Sequence, residues 1–113
     1  MDERIARLAG LIDEAAELLR RHGQTHWPDW LARNAMWIRR LDLYGVETLL
    51  SGYGGMGSLN DIYLHSVNGH QIDEKDVVSV NQRLRSLLTE IYLLATELRR
   101  AELRAYIEAQ KSE

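Results

Sequence analysis

Val77-Val78-Ser79-Val80-Asn81-Gln82-Arg83-Leu84-Arg85-Ser86-Leu87-Leu88-Thr89-Glu90-Ile91-Tyr92-Leu93-Leu94-Ala95-Thr96-Glu97-Leu98 carries the most regular apolar pattern in the chain. Val77, Val80, Leu84, Leu87, Ile91, Leu94 and Leu98 alternate at spacings of three and four, the period of an α-helix with one buried face. Leu88 and Ala95 widen that stripe beyond a two-helix zipper seam, so a bundle core suits it better. Asp73 is a suitable helix cap and Asp76 lies in the first turn, where the helix dipole favours anions. The pattern fades after Leu103. A helix over about 74–103 is predicted, with the tail 104–113 continuing as a polar helix or fraying. Its arginines and glutamates interleave, as on a solvated helix face.

A helix this amphipathic needs partners, and the N-terminal half supplies them. Ile5, Leu8, Ile12, Ala15 and Leu19 predict a helix over about 3–22, capped by Asp2 and closed by Gly23. A second helix, about 28–43, opens at Pro28, where the missing N–H costs nothing. Trp30, Asn34, Trp37 and Leu41 form one stripe of it, with Leu31, Ala35 and Ile38 beside them. Gly45 reads as a break, and 46–51 as a short further helix. The fold class expected is mainly α: a single domain, 1–113, forming an antiparallel three- or four-helix bundle.

Residues 52–72 differ from everything around them. Six of the eight glycines fall between Gly45 and Gly69. Ile62, Leu64 and Ser66 alternate with Tyr63, His65 and Val67, and Asn68-Gly69 is a hairpin turn signal. A small β-hairpin pairing 62–67 with 70–72 is predicted. The alternative is an irregular loop with one helical turn starting at Ser58 or Asn60. Ordering so many glycines costs backbone entropy, which marks Tyr53–Asp61 as the candidate working segment.

Composition narrows the chemistry. The 113 residues are 45% apolar and carry a net charge of −3. There is no cysteine, so disulfides and thiolate metal sites are excluded and a reducing, cytoplasmic setting is expected. An acidic balance argues against nucleic acid. No apolar run approaches the roughly 20 residues that cross a bilayer, so no membrane association is expected. Phosphate loops pair glycines with a cation, yet 46–72 contains no Lys or Arg. His22 and His26 are separated by a helix break, and His65 and His70 flank a turn with no converging third ligand, so no metal and no cofactor is expected. Ser58, Asp61, His65 and His70 form the one neighbourhood where an acid–base enzyme could be built, although no hydrolase elbow surrounds Ser58. The bland reading of Asn60-Asp61 is a turn or helix cap. Among the three tryptophans, Trp37 reads as core and Trp27, at a helix entry, as part-exposed and available to a partner.

Tyr53-Gly54-Gly55-Met56-Gly57-Ser58-Leu59-Asn60-Asp61, preceded by Trp37-Ile38-Arg39-Arg40-Leu41 and Tyr44-Gly45-Val46, resembles a family of short bacterial proteins known only as a domain of unknown function. The resemblance covers roughly residues 27–70 and the start of the last helix, and implies no particular activity. In size, acidity and helical character the chain also resembles immunity proteins, which neutralise toxins delivered between bacteria by contact-dependent or type VI secretion. On that resemblance the expected function is inhibition of a cognate toxin by covering its active site. The expected contact residues are Tyr53, Met56, Asn60, Asp61, Tyr63, His65, His70 and Trp27. Two alternatives stand beside it: a small enzyme using the Ser58/Asp61/His65/His70 neighbourhood, and a homodimeric regulatory module with the 77–98 stripe as its seam. A monomer or weak homodimer is expected.

Overall fold

The computed structural model describes residues 2–111. Four α-helices account for most of them: α1 Glu3–Arg21, α2 Trp27–Arg39, α3 Tyr44–Ser51 and α4 Val77–Lys111. Each packs on the next around a ring, α1 on α2, α2 on α3, α3 on α4 and α4 back on α1. One continuous core fills the ring, built from Leu8, Ile12 and Leu19 of α1, Leu31 and Ile38 of α2, Val46 and Leu49 of α3, and Leu84, Leu87, Ile91 and Leu98 of α4. The mainly α bundle with a long C-terminal helix is therefore the fold. Leu84, Leu87, Ile91 and Leu98 of the 77–98 stripe face this internal core, with Val80 and Leu94 packed partly buried against it.

The helix ends follow local chemistry. Asp2 accepts the Arg4 N–H at 2.9 Å and caps α1. Gly23, at φ 82°, closes it with the Gln24 N–H returned to the Leu19 carbonyl. The first N–H groups of α2 are met by a side chain outside the helix: the Gln24 amide oxygen accepts from His26 and Trp27 at 2.8 and 3.1 Å. α2 stops at Arg39, short of the expected 43. Leu41 takes a left-handed conformation, φ 62°, and the Asp42 N–H returns to the Trp37 carbonyl at 2.9 Å. This is the termination usually made by glycine. Gly45, expected as the break, instead lies inside α3. A Cβ there would sit 2.9 Å from Trp37 Cβ and 3.0 Å from the Asn34 carbonyl oxygen, so glycine permits α2 and α3 to touch.

At the other end, Asp73 makes no side-chain cap, and a 3-10 turn at Glu74–Asp76 leads into α4. α4 continues past 103 to Lys111; residues 112 and 113 lie outside the described residues. At about 1.5 Å per residue its 35 residues run about 52 Å, which sets the long dimension of 59 Å. None of its residues beyond Leu98 is buried.

The β-hairpin expected over 62–72 is not formed; there is no strand among the described residues. The alternative reading is the one seen, with a 3-10 turn at Leu59–Asp61 and a second at Ser66–Asn68 closed by Gly69 at φ 84°. The alternating pattern is overridden because the backbone finds partners elsewhere. Leu64 is tied on both its N–H and its carbonyl by the buried Asn81 side chain of α4. Gln71 donates its N–H to the His22 carbonyl at 2.8 Å, and the His22 Nδ1–H donates back to the Gln71 carbonyl at 2.8 Å. The segment is stitched to α4 on one side and to the end of α1 on the other.

Candidate functional site

The glycine loop begins where the chain crosses Trp30. A Cβ on Gly52 would lie 2.5 Å from the Trp30 ring, so only glycine passes at this height. From there the loop is held by its own polar side chains. Asn60 Oδ1 accepts the Gly54 N–H at 3.1 Å, and Asp61 Oδ2 accepts the Gly57 N–H at 2.9 Å. The Ser58 hydroxyl lies within hydrogen-bond distance of both the Gly55 carbonyl and Asn60 Oδ1. Leu59 is fully buried and pins the far side, its N–H bonded to the Gly52 carbonyl at 2.8 Å. Asn60 Oδ1 and Asp61 Oδ2 thus serve loop geometry.

The result is a crest with two flanks. Met56 stands on the crest, 99% exposed. On one flank Trp27, Ser58, Asp61, Tyr63 and His70 line a shallow cleft of about 240 Å³. Trp27 is half-buried there, packed edge-on against Trp30 with ring centroids 5.1 Å apart. Trp37, expected in the core, is only half-buried and meets Tyr44 edge-on at 5.2 Å on the α2–α3 corner. His65 lies beyond the cleft, stacked on Tyr63 and paired through Nε2 with Glu74 at 3.2 Å. Each loop imidazole accepts a backbone N–H through Nδ1: His65 from Val67 at 3.0 Å, His70 from His65 at 3.1 Å.

On the other flank Tyr53 and Asn60 face α4 across a larger groove of about 550 Å³. Tyr53 donates its hydroxyl to the Leu88 carbonyl at 2.7 Å, and its ring lies 5.1 Å from that of Tyr92. Burial, with Tyr92 beside it, pushes the Tyr53 phenol well above its ordinary range.

Of the eight expected contact residues, then, Trp27, Asp61, Tyr63 and His70 share one cleft, Tyr53 and Asn60 line the other groove, Met56 is the crest between them, and His65 stands apart. No hydrogen bond joins Ser58 to either histidine among the described residues, so the nucleophile–base contact of a hydrolytic site is not made. No group of three or more potential metal-ligating side chains occurs among the described residues. None of the described helices is long and apolar enough to cross a membrane.

Arg85 and Thr89 of α4 also line the larger groove, and neither stands out from sequence. Their spacing is that of any two residues on one exposed helix face. Only the packing of α3 and the loop on α4 brings them opposite Asn60.

Residues 20–73 match the family model described as Domain of unknown function (DUF6966). The DUF6966 match runs from the end of α1 through α2, α3 and the whole glycine loop. It therefore takes in the crest, the smaller cleft and one wall of the larger groove; the α4 wall lies outside it. No curated protein and no solved structure matches the chain.

Proposed function

We propose that this protein is an immunity-type inhibitor, which binds a cognate bacterial toxin and covers its active site with the glycine loop. The observation that carries the reading is Met56, fully exposed on a loop whose backbone is already fixed by Asn60, Asp61 and Ser58. An exposed methionine is an adaptable apolar contact, and a prefixed loop lowers the ordering cost of association. Val67 and Tyr63, also exposed, extend the apolar surface away from the crest.

Charge supports the same direction. The chain carries −3 overall, and segment 46–72 holds Glu47 and Asp61 with no Lys or Arg. Such a surface complements a cleft that binds an anionic substrate, speeding encounter more than deepening affinity. An interface of ordinary size would take about 800 Å² from this chain, against a total surface of 7138 Å².

Co-expression with the product of the neighbouring gene, assayed for toxicity alone and with this chain, tests the reading. The expected result is a co-purifying complex that lacks toxic activity and is weakened about tenfold or more by Met56→Asp. A chain that stays partnerless in that experiment, or a complex indifferent to Met56→Asp and Tyr63→Ala, overturns it.

A further inference from the structure

The larger groove has the composition of a small-molecule site. Leu84 and Leu88 of α4 are buried beneath it, and the Tyr53–Tyr92 pair forms an aromatic side. Its volume of about 550 Å³ falls within the roughly 300–1,000 Å³ typical of ligand pockets. Among its twelve lining residues there is no aspartate and no glutamate, and the only formal charge is Arg85.

Arg85 is also uncommitted. The other arginine of that helix segment, Arg83, pairs with Glu14 of α1, and the arginines of α1 pair with neighbouring carboxylates. Arg85 has no ion-pair partner among the described residues. Two neutral donors share its groove. Thr89 lies one turn further along the same face of α4. Asn60 Oδ1 accepts the Gly54 N–H and lies within hydrogen-bond distance of the Ser58 hydroxyl, leaving its Nδ2 as the end without a partner among the described residues.

We propose that this groove binds a small amphipathic monocarboxylate, an aryl or short acyl acid. Its apolar body lies against Tyr53, Tyr92 and Leu88, and its carboxylate is taken by Arg85 with Thr89 and Asn60. A guanidinium presents paired donors to a planar carboxylate, and one cation balances one negative charge. The groove lies on the opposite flank of the loop from the Trp27 cleft, and the proposal does not rest on the toxin reading.

The test is a titration of ¹⁵N-labelled protein with 4-phenylbutyrate, with 4-phenylbutyramide as the uncharged counterpart at matched ionic strength. The acid is expected to shift the amides of Gly54, Asn60, Arg85, Thr89 and Tyr92 at millimolar concentration. The amide is expected to bind about two- to fivefold more weakly, as for an ion pair at an exposed site. Arg85→Gln should reduce the acid to the level of the amide and leave the affinity for the amide unchanged. Arg85→Lys should restore part of the preference. Equal binding of acid and amide, shifts outside the groove, an Arg85→Gln variant that still prefers the acid, or no shifts at all would each overturn the proposal. An unchanged thermal midpoint for Arg85→Gln keeps the comparison free of folding effects.

Discussion

Asn81 holds Leu64 by both of its backbone groups: Oδ1 accepts the Leu64 N–H at 2.8 Å and Nδ2 donates to the Leu64 carbonyl at 2.9 Å. The same Nδ2 donates to the Val77 carbonyl one turn back, and the side chain is buried among apolar neighbours. One amide therefore does for the loop what a neighbouring strand would have done. Asn81→Leu keeps the branched outline, though with bulkier methyl groups, and strands both Leu64 groups away from water. A loss of about 2–4 kcal/mol is expected, with Leu64 amide exchange accelerated more than that of core α4 amides. Urea unfolding measures the first and hydrogen exchange the second. A loss under about 1 kcal/mol would show that water replaces the amide at no great cost.

Gly52 and Gly55 are separated by three positions and by very different surroundings. A Cβ at Gly52 meets the Trp30 ring at 2.5 Å; at Gly55 it meets nothing within 4 Å. Gly52→Ala is expected to cost about 1–3 kcal/mol, because the indole must move out of a packed seat. Gly55→Ala should change stability by no more than about 0.5 kcal/mol. Thermal midpoints of the two variants check this, and equal effects would contradict a packing role for Gly52.

Leu41 ends α2 in the left-handed region, at φ 62°, with its side chain 57% exposed. An L-residue there pays about 1–2 kcal/mol, while glycine gives back about 0.5–1 kcal/mol through its freer unfolded chain. Leu41→Gly is therefore expected to raise stability by about 0.5–1 kcal/mol, read from denaturant midpoints at constant slope. A destabilised variant would mean that the exposed leucine makes contacts worth more than the strain.

Tyr53 predicts an alkaline signature. The folded protein holds the phenol proton more tightly than the unfolded chain does, because burial disfavours the phenolate and the hydroxyl donates to Leu88. The contribution is complete below the ordinary tyrosine value of about 10 and declines as pH rises past it, by at most about 1.4 kcal/mol per pH unit. Tyr53→Phe is expected to cost about 1 kcal/mol at neutral pH and to lack that decline. The gap between wild type and variant should narrow above pH of about 10. A constant gap would place the phenol in an ordinary environment.

How far these features are legible in the sequence depends on the range of the interaction. The stripes of α1 and α4 are local periodicities, and both are helical throughout, although α4 begins at Val77 rather than 74 and continues past 103 to Lys111. The end of α2 is not legible, since a leucine in the left-handed region has no side-chain signature and Gly45, three residues after Asp42, offers a false one. The hairpin is misread for a long-range reason: Leu64 is satisfied by a residue seventeen positions away, and Asn81 looks like a polar interruption in an apolar stripe. The same range effect hides Arg85. The glycine loop lacks a cation of its own, and the fold supplies one from α4.

Asp61 separates holding the loop from touching a partner. Its Oδ2 accepts the Gly57 N–H at 2.9 Å, an acceptor role that an amide oxygen can also fill. Asp61→Asn is therefore expected to leave the loop ordered, whereas Asp61→Ala frees the Gly57 N–H and lets the crest move. Gly57 amide exchange should stay slow in the first and rise about five- to thirtyfold in the second, the equivalent of about 1–2 kcal/mol of local stability. If the proposed partner reads Met56 rather than the carboxylate, binding follows the same order: Asp61→Asn near wild type, Asp61→Ala weakened through lost preorganisation, and Met56→Asp weakened with the loop intact. A partner lost equally in Asp61→Asn and Asp61→Ala, with Gly57 still protected in the former, would instead assign the carboxylate a direct contact.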